Sequence, residues 1–331
     1  MTTDGAVRLR QILDSSDEIH IVPELADCAA ARAAEINGFK ILMVSSGDLA
    51  CGLTGIPDLQ LLSLDEFVLT TDRITSMCDL PLIIDADDGF GRPLQTYYGC
   101  QKLRKAGAAG VLVTEAAGLG RQGVLPVEEA VQRFRAARDG LGPDGYLIAR
   151  VDLHPEDDFD EVVARSRTYR EAGADMICVL WMHRLTGDRM DYCRRLAAAD
   201  PGPKWYPDLA TNNGKAELNI DDLAPLNYRM VGVHFSSHAA MLAMLDVGRH
   251  VFESRTNEYV ESHFRDTGYN FMTSMSLFGL RDGHWPGLES RYVTDPQDAI
   301  AVRNADYFVR ATDRIIEWDG PADGSPEAEL A

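Results

Sequence analysis

The stretch LIIDADDGFG, residues 82–91, places three carboxylates directly after an apolar run. Asp85, Asp87 and Asp88 are followed by two glycines and a phenylalanine. A short run that is apolar on both faces indicates a parallel strand buried on both sides. We therefore predict a buried strand that ends at these aspartates. The carboxylates then form either a solvated turn that caps the next helix or a site that holds a cation.

Comparable apolar runs recur along the chain, and each is followed by a helical pattern of Ala, Glu, Arg and Leu. Including the first one, they cover residues 18–23, 40–45, 80–87, 110–115, 146–152, 176–181, 204–209 and 228–235. Eight strand–helix units predict a (β/α)8 barrel of the TIM type. A doubly wound open sheet in two domains is the alternative.

The pattern changes near residue 253, which suggests three regions. Residues 1–253 are predicted as the barrel and catalytic domain, and residues 254–318 as a helical C-terminal appendage without a strand. Residues 319–331 are small, acidic and rich in Pro and Gly, so they are predicted to be disordered. The appendage is rich in apolar residues, and we expect it to pack on another subunit, in a homodimer or homotetramer.

The composition restricts the possible partners and the compartment. The formal net charge of -20 argues against binding to nucleic acids or anionic membranes, because both need clustered Lys and Arg. No apolar run is long enough for a transmembrane helix, and the N-terminus lacks a signal-peptide pattern. Six scattered cysteines without a C-x-x-C pair fit a reducing cytoplasm better than a disulfide framework.

Carboxylates end two neighbouring strands of the predicted barrel. Asp85 and Asp87 end the third strand, and Glu115 ends the fourth. Active sites of such barrels lie at the carboxyl ends of the strands, and like charges held close need protons or a cation. Oxygen ligands suit Mg²⁺, with Mn²⁺ as a second choice. Arg150, which ends the fifth strand, either grips a substrate carboxylate or forms a salt bridge with Asp152 or Glu115.

Histidines and asparagines at the last two strands are further candidates. His234 and His238 are four residues apart, but no H-E-x-x-H motif accompanies them, so zinc is disfavoured. His234 is a candidate acid or base in the pocket. Asn212 and Asn213 follow the seventh strand, where they either contact a substrate or form a turn. No glycine-rich fingerprint has the strand–turn–helix setting that a nicotinamide cofactor needs.

Four segments in order carry a family resemblance: VSSGDLACGLTGIPDLQLLSLDEF, LPLIIDADDGFGRP, AGAAGVLVTE and IARVD. Together with the opening from Leu9 to Phe39, they resemble the isocitrate lyase/phosphoenolpyruvate mutase superfamily. The similarity covers roughly residues 8 to 253. It is nearest to the short-chain branch, which includes methylisocitrate lyase, phosphoenolpyruvate mutase, phosphonopyruvate hydrolase and oxaloacetate decarboxylase.

The resemblance implies an α/β barrel with a bound Mg²⁺, commonly a tetramer in which the last helix is swapped between subunits. Members stabilise an enolate-like or oxyanionic form of a small acid at the metal. By matching motif, Asp85, Asp87 and Glu115 correspond to the metal carboxylates. The resemblance also implies that Ser45, Ser46 and Gly47 form a loop that binds a substrate carboxylate. Asp58 and Arg150 correspond to positions that support the metal ligands and bind the substrate.

The chain also departs from the family in two places. After Glu115 the family carries a mobile loop with a catalytic Lys-x-Cys-Gly-His motif, or Lys and Asn in the mutases. Here AAGLGRQGVLPVEE follows, which is shorter and has only Arg121 and Gln122 as strongly polar side chains. In the sixth strand, Leu180 replaces the usual Glu or His, and Trp181 and His183 follow it. Trp181 is a candidate for contact with the substrate.

These observations together predict a cytoplasmic, Mg²⁺-dependent lyase. It would cleave a C–C bond of a small 2-oxo or 2-hydroxy acid, by decarboxylation or by a retro-aldol or Claisen-type step. The first alternative is a mutase or hydrolase that acts on a C–P or related bond. The second is a repurposed barrel that binds a carboxylate without lyase activity.

Overall fold

A computed structural model describes most of the chain, and it divides the chain into two compact units, Met1–Ala240 and Met241–Ala331. The residues it describes are 4–118, 123–209, 211–212, 215–216, 218–260, 262, 288–289 and 291–295. The predicted boundaries at 253 and 318 and the disordered tail stay predictions.

The first unit contains a closed barrel of eight parallel strands, which confirms the predicted (β/α)8 fold. The barrel strands are β1 (His20–Leu25), β2 (Leu42–Val44), β3 (Leu82–Asp85), β4 (Gly110–Thr114), β5 (Tyr146–Val151), β6 (Met176–Val179), β7 (Lys204–Tyr206) and β10 (Tyr228–His234). The ring closes where β10 pairs with β1, with His20 opposite Met230 and Glu24 opposite His234. A separate antiparallel pair is formed by β8 (Thr211–Asn212) and β9 (Lys215–Ala216).

Helices alternate with the strands along the chain. They are α1 (Gly5–Ser15), α2 (Cys28–Ile36), α3 (Ser46–Thr54), α4 (Leu64–Met77), α5 (Pro93–Lys105), α6 (Val127–Leu141), α7 (Phe159–Glu171), α8 (Arg189–Ala199) and α9 (Ser237–Ser254). Local capping fixes several starts: Asp27 caps α2, Ser45 caps α3, and Ser63 with Glu66 forms a capping box on α4.

The barrel interior is filled by alternate residues of the strands. Val22, Met43, Ile83, Ile148 and Trp205 belong to one buried cluster. Full burial of each such side chain contributes about 1.5–3 kcal/mol, so the interior is a packed core and not a pore. Helix α1 adds Leu9 and Leu13 to the same cluster and closes the amino end of the barrel. Chemistry is therefore restricted to the carboxyl end.

Each of the eight strands differs from its predicted run by at least one residue, and the differences in β1 and β6 bear on the site. Strand β1 runs through Pro23 to Leu25, although the apolar run was predicted to stop at residue 23. A proline removes only one donor, and pairing with β10 continues on both sides of it. Strand β6 stops at Val179, because Leu180–Arg184 turns into a 3₁₀ helix. The first difference matters for function, since it places Glu24 on a barrel strand.

Among the described residues, no helix combines the length and apolarity that crossing a membrane requires. All six cysteines, which belong to the described part of the chain, are free. This agrees with the expectation that no disulfide framework holds the fold.

Candidate active site

Asp85 and Asp87, the predicted metal carboxylates, lie together at the carboxyl end of the barrel. A regular strand would place both on one face, but here only Asp85 belongs to the strand and Asp87 lies in the turn that follows. Strand β3 ends at Asp85, and Asp87 adopts a left-handed backbone with φ of 48°. The turn is tight because Gly89, with φ of 75°, lies against Thr96, where a Cβ would collide with the threonine side chain. The Asp87 amide donates to Asp85 Oδ1 at 3.1 Å. The turn thus brings both buried carboxyl groups together.

Burial and mutual repulsion favour protons on these carboxylates. Burial raises the pKa of Asp85, although the Arg150 charge opposes the shift. Burial, and then the Asp85 and Asp58 charges, raise the pKa of Asp87 to about 8. Asp58 lies against Gly47, since a Cβ at that glycine would stand 3.5 Å from Asp58 Oδ2. Such a group of carboxylates needs either protons or a cation to be stable.

Arg150 is the cation that the structure provides. Its Nη1 lies 3.5 Å from Asp85 Oδ2, and its Nη2 lies 3.2 Å from Asp152 Oδ1. Burial lowers the pKa of Arg150, but the Asp152 and Asp85 charges outweigh burial and hold the pKa above its usual range. Of the two readings of Arg150, the salt bridge with Asp152 is therefore present. In the described part of the chain, no salt bridge joins the Arg150 guanidinium to Glu115; the Glu115 amide instead donates to the Arg150 carbonyl at 3.1 Å.

Glu115 is completely buried, and both its oxygens are engaged. Oε1 accepts the amides of Asp152 at 2.9 Å and Leu153 at 3.1 Å. Oε2 accepts Arg165 Nη1 at 2.7 Å and a short bond from the Tyr169 hydroxyl. These four bonds occupy the lone pairs of the carboxylate. Asp85, Asp87 and Glu115 do not offer three oxygens within 4.8 Å of one another.

The predicted substrate loop forms the start of helix α3. Ser45 is the N-cap, Ser46 and Gly47 open the helix, and both serines are buried. Ser46 Oγ donates to Asp85 Oδ2 at 3.4 Å, which ties this loop to the end of β3. Free amides and the positive end of the helix dipole make such a start suitable for a carboxylate.

Trp181 and His183 belong to the 3₁₀ helix that follows β6. Trp181 Nε1 donates to the Asp152 carbonyl at 2.7 Å, so the indole supports the end of β5. His183 Nδ1 lies 2.7 Å from the Leu180 carbonyl, and its Nε2 accepts from Arg184 at 2.9 Å. Burial lowers the pKa of His183. This histidine is neutral and fully engaged, which does not suit a proton donor.

The remaining predicted residues are only partly described. Asn212 lies in β8, while Asn213, Arg121 and Gln122 lie outside the described residues. The base of the short loop after Glu115 is closed, since the Ala117 amide donates to the Gly123 carbonyl at 2.9 Å.

Two acidic residues at the mouth were not foreseen from the sequence. Glu24 and Asp48 lie beside His234, whose Nδ1 is 3.3 Å from Glu24 Oε2 and 3.7 Å from Asp48 Oδ1. Burial raises the pKa of Glu24 to about 7. Interaction with the Asp48 carboxylate raises the pKa of His234 to about 9. Burial opposes this shift, and the Glu24 charge adds to it. No local pattern marks these acids, because they meet only when the barrel closes.

A cavity of about 900 Å³ opens beside the mouth and reaches Asp87 and Asp88. Its other walls come from the outer helices, and Arg150, Ser45 and Ser46 do not line it. Arg92 and Arg133 line this cavity, whereas Arg150 and the start of helix α3 lie at the barrel mouth beside Asp85.

Comparison with known proteins agrees with this geometry. The sequence pattern of the phosphoenolpyruvate phosphomutase family matches residues 9–251. The chain belongs to the phosphoenolpyruvate mutase/isocitrate lyase superfamily. Within this superfamily, it is 30% identical to a Vibrio cholerae 2-methylisocitrate lyase over 270 residues, which cover 78% of this chain and 86% of that protein.

Two further superfamily members are similar over different lengths. An Escherichia coli 2-methylisocitrate lyase is 36% identical over 155 residues, 44% of this chain and only 52% of the relative. The structure of oxaloacetate acetylhydrolase in complex with the product oxalate is similar with a TM-score of 0.73 and 25% identity. That match covers 87% of this chain and 98% of the other. The similarity therefore extends over the barrel as well as the motifs.

Proposed function

We propose that the protein is a metal-dependent lyase that cleaves a C–C bond of a small 2-oxo or 2-hydroxy acid. The observation that carries this proposal is the buried pair Asp85 and Asp87 beside Arg150. Both carboxylates have a raised pKa, and one arginine does not balance their charge. A divalent cation would neutralise them, and an oxygen-only donor set suits Mg²⁺, with Mn²⁺ as a second choice.

The donor set fits the metal with one change from the sequence prediction. Asp85 and Asp87 would hold the ion, with Asp58 as the further carboxylate nearby. Glu115 would not bind the metal directly, because hydrogen bonds occupy both its oxygens. It would instead hold the ends of β4 and β5 in place beside the metal site. When bound, the ion supplies Lewis-acid stabilisation of charge on a substrate oxygen.

The protein's own residues would then bind and orient the substrate. The start of helix α3, at Ser45, Ser46 and Gly47, would accept its carboxylate. The face of Arg150 near Asp85 would stabilise negative charge as it develops on a substrate oxygen. An interaction of this kind is typically worth a few kcal/mol, or a factor of about a hundred in rate. The two named relatives and the oxalate complex support a small-acid substrate.

The short loop after Glu115 favours decarboxylation, or another cleavage that does not need a proton donor on this loop. Its base is closed between Ala117 and Gly123, and the sequence between them carries no Cys, His or Lys. His183 does not replace the missing acid, since both its ring nitrogens are bonded. The same loop lacks the Lys and Asn of the mutases, which disfavours action on a C–P bond.

A panel assay tests the proposal. The metal-free chain would be incubated with oxaloacetate, 2-methylisocitrate and related 2-oxo and 2-hydroxy acids, with and without Mg²⁺, and the products measured by chromatography. We expect cleavage of at least one acid that requires Mg²⁺ and is lost in Asp87→Asn. A chain that binds oxalate tightly but cleaves none of the panel would favour the carboxylate-binding alternative. Metal-dependent turnover of phosphonopyruvate alone would favour the mutase or hydrolase.

We also propose that two or four copies assemble, in a reducing compartment such as the cytoplasm. Helix α9 exposes a set of large apolar side chains that are between 43% and 74% accessible: Met241, Leu242, Met244, Leu245 and Phe252. Exposed apolar surfaces of this kind mark interfaces. Light scattering at micromolar concentration should give at least a dimer, and Leu245→Glu should weaken it. A native chain that remains monomeric would contradict the assembly.

A further inference from the structure

Glu24, Asp48 and His234 offer one nitrogen and two carboxylate oxygens that lie within 4.8 Å of one another. The two measured separations from His234 Nδ1 are 3.3 Å to Glu24 and 3.7 Å to Asp48. Ligands about 2.1 Å from one tetrahedral metal ion lie roughly 3.4 Å apart. An N–H···O hydrogen bond would instead bring the atoms to about 2.7–3.2 Å. The two separations match those of ligands around one ion, and they also allow a salt bridge when His234 is protonated.

A second observation also points to a missing ligand. Asp48 is 3% exposed, and its Oδ2 is buried without a hydrogen-bond partner among the described residues. The same holds for Ser236 Oγ, two residues after His234. Buried polar atoms almost always have a partner, because each unsatisfied one costs about 1–3 kcal/mol. The other oxygen, Asp48 Oδ1, accepts a short bond from Ser237 Oγ, which holds the carboxylate in place.

The barrel also holds Glu24 rigidly. Glu24 stands opposite His234 in the register of β1 and β10. Its carbonyl accepts the amides of Phe235 at 3.2 Å and Ser236 at 3.3 Å. Gly232 leaves the space for its carboxylate, since a Cβ there would stand 2.6 Å from Glu24 Oε1. Three ligands thus come from two paired strands and the first turn of α3.

We infer that Glu24, Asp48 and His234 form a second cation site, for a divalent transition-metal ion such as Zn²⁺ or Mn²⁺. The imidazole selects this class over Mg²⁺, which prefers oxygen ligands only. Two carboxylates and a neutral imidazole balance a divalent charge. Three protein ligands leave a position open for water or substrate, which is the pattern of catalytic and not of structural zinc sites.

The site has a consequence for catalysis that rests on the proposed lyase function. A metal ion lowers the pKa of its bound water, so a water here would give the mouth a proton donor that the short loop lacks. His234, with Nδ1 bound to the ion, would then be a ligand and not a free acid.

Metal counting on the full chain tests the site. The metal-free chain would be dialysed against Zn²⁺ in excess Mg²⁺, and bound zinc measured by mass spectrometry. We expect one Zn²⁺ per chain that Glu24→Gln and His234→Gln both lose. The matched control is His238→Gln, because its ring lies 5.3 Å from that of His234 without joining the ligands. Circular dichroism checks that each variant is folded.

The outcomes separate this inference from the lyase proposal. Asp87→Asn should keep its zinc while it loses Mg²⁺-dependent turnover. Native protein that binds no zinc, or zinc that persists in both Glu24→Gln and His234→Gln, would overturn the second site and leave the lyase proposal standing. Should one of these variants not fold, the other decides the result.

Discussion

The two ends of the barrel differ in how their buried carboxylates are neutralised. At the amino end, two carboxylates face arginines: Asp175 lies 3.1 Å from Arg10 and also pairs with Arg138, and Asp200 lies 2.7 Å from Arg170. At the carboxyl end, Asp85 and Asp87 face each other, with Arg150 as the cation beside them. Opposite charges pair at both ends, as in Arg165 with Glu115 at the carboxyl end, but only Asp85 and Asp87 bring two buried like charges together in this comparison.

This difference separates residues that stabilise the barrel from residues that would bind the metal and the substrate. A group of like charges is costly in the metal-free protein, and only a ligand that binds the folded state repays that cost. Changes at the amino end should therefore affect stability alone. Changes at the carboxyl end should affect binding and turnover, and some should even stabilise the metal-free chain.

Asp87→Asn is the substitution with the largest expected effect on activity. Asparagine tolerates the left-handed backbone at this position, so the fold should persist. Loss of one carboxylate from the metal site should lower kcat about a thousandfold, and Mg²⁺ binding measured by calorimetry should disappear. Unchanged Mg²⁺ affinity would show that the metal site is elsewhere.

The same variant should alter the pH dependence of stability. In the metal-free chain, burial raises the pKa of Asp87 to about 8 from its ordinary value of 3.8. Between these values the folded state binds more protons, so its stability falls as pH rises. Asp87→Asn should remove part of this slope in thermal unfolding from pH 5 to about 8.

Arg150→Met should lower turnover about a hundredfold, because it removes the cation nearest the reacting oxygens. It should also destabilise the metal-free chain, since Asp85 and Asp152 lose their counter-charge, and Mg²⁺ should restore part of that stability. Arg150→Lys keeps the charge but not the fork, and it should recover stability more than turnover. Single-turnover rates and thermal unfolding measure the two effects, and a native-like rate in Arg150→Met would refute its role.

Asp175→Asn tests the amino end. Asp175 pairs with Arg10 and Arg138 and also accepts the Leu147 amide at 2.8 Å. Its loss should cost about 2 kcal/mol in the free energy of unfolding, measured in urea, with kcat unchanged. A lower kcat in the folded variant would mean that the two ends are coupled.

Lys204→Met should have the smallest effect, and it should raise the free energy of unfolding, whereas Asp175→Asn lowers it. Lys204 is 1% exposed at the start of β7, and burial lowers its pKa to about 8 from 10.5. Between pH 8 and 10.5 the unfolded state binds more protons than the folded state, so stability rises with pH in this window. Below pH 8 the buried charge of this lysine therefore destabilises the fold by its full amount. The variant should gain about 1 kcal/mol at pH 7, and the gain should shrink as pH rises to 10.5. A constant gain would indicate packing and not charge.

The sequence was sufficient for the fold and for part of the mouth. Eight apolar runs predicted eight strands, and β3 ends at Asp85 as predicted, because a carboxylate directly after the apolar run ends the buried strand. The bonds of Glu115 could not be predicted, since Arg165 and Tyr169 lie about fifty residues along the chain. Glu24 was missed because the first apolar run was predicted to end at residue 23, whereas β1 continues to Leu25. Its meeting with Asp48 and His234 depends on barrel closure, which no local pattern reports.

The four bonds on Glu115 also predict which amides exchange slowly with deuterium. One buried carboxylate fastens the ends of β4 and β5 to helix α7, through the amides of Asp152 and Leu153 and the side chain of Arg165. Breaking these bonds leaves a completely buried carboxyl group without partners, so local opening there is costly. These two amides should remain protected when the mouth binds or releases its metal, and should exchange only when the whole barrel unfolds.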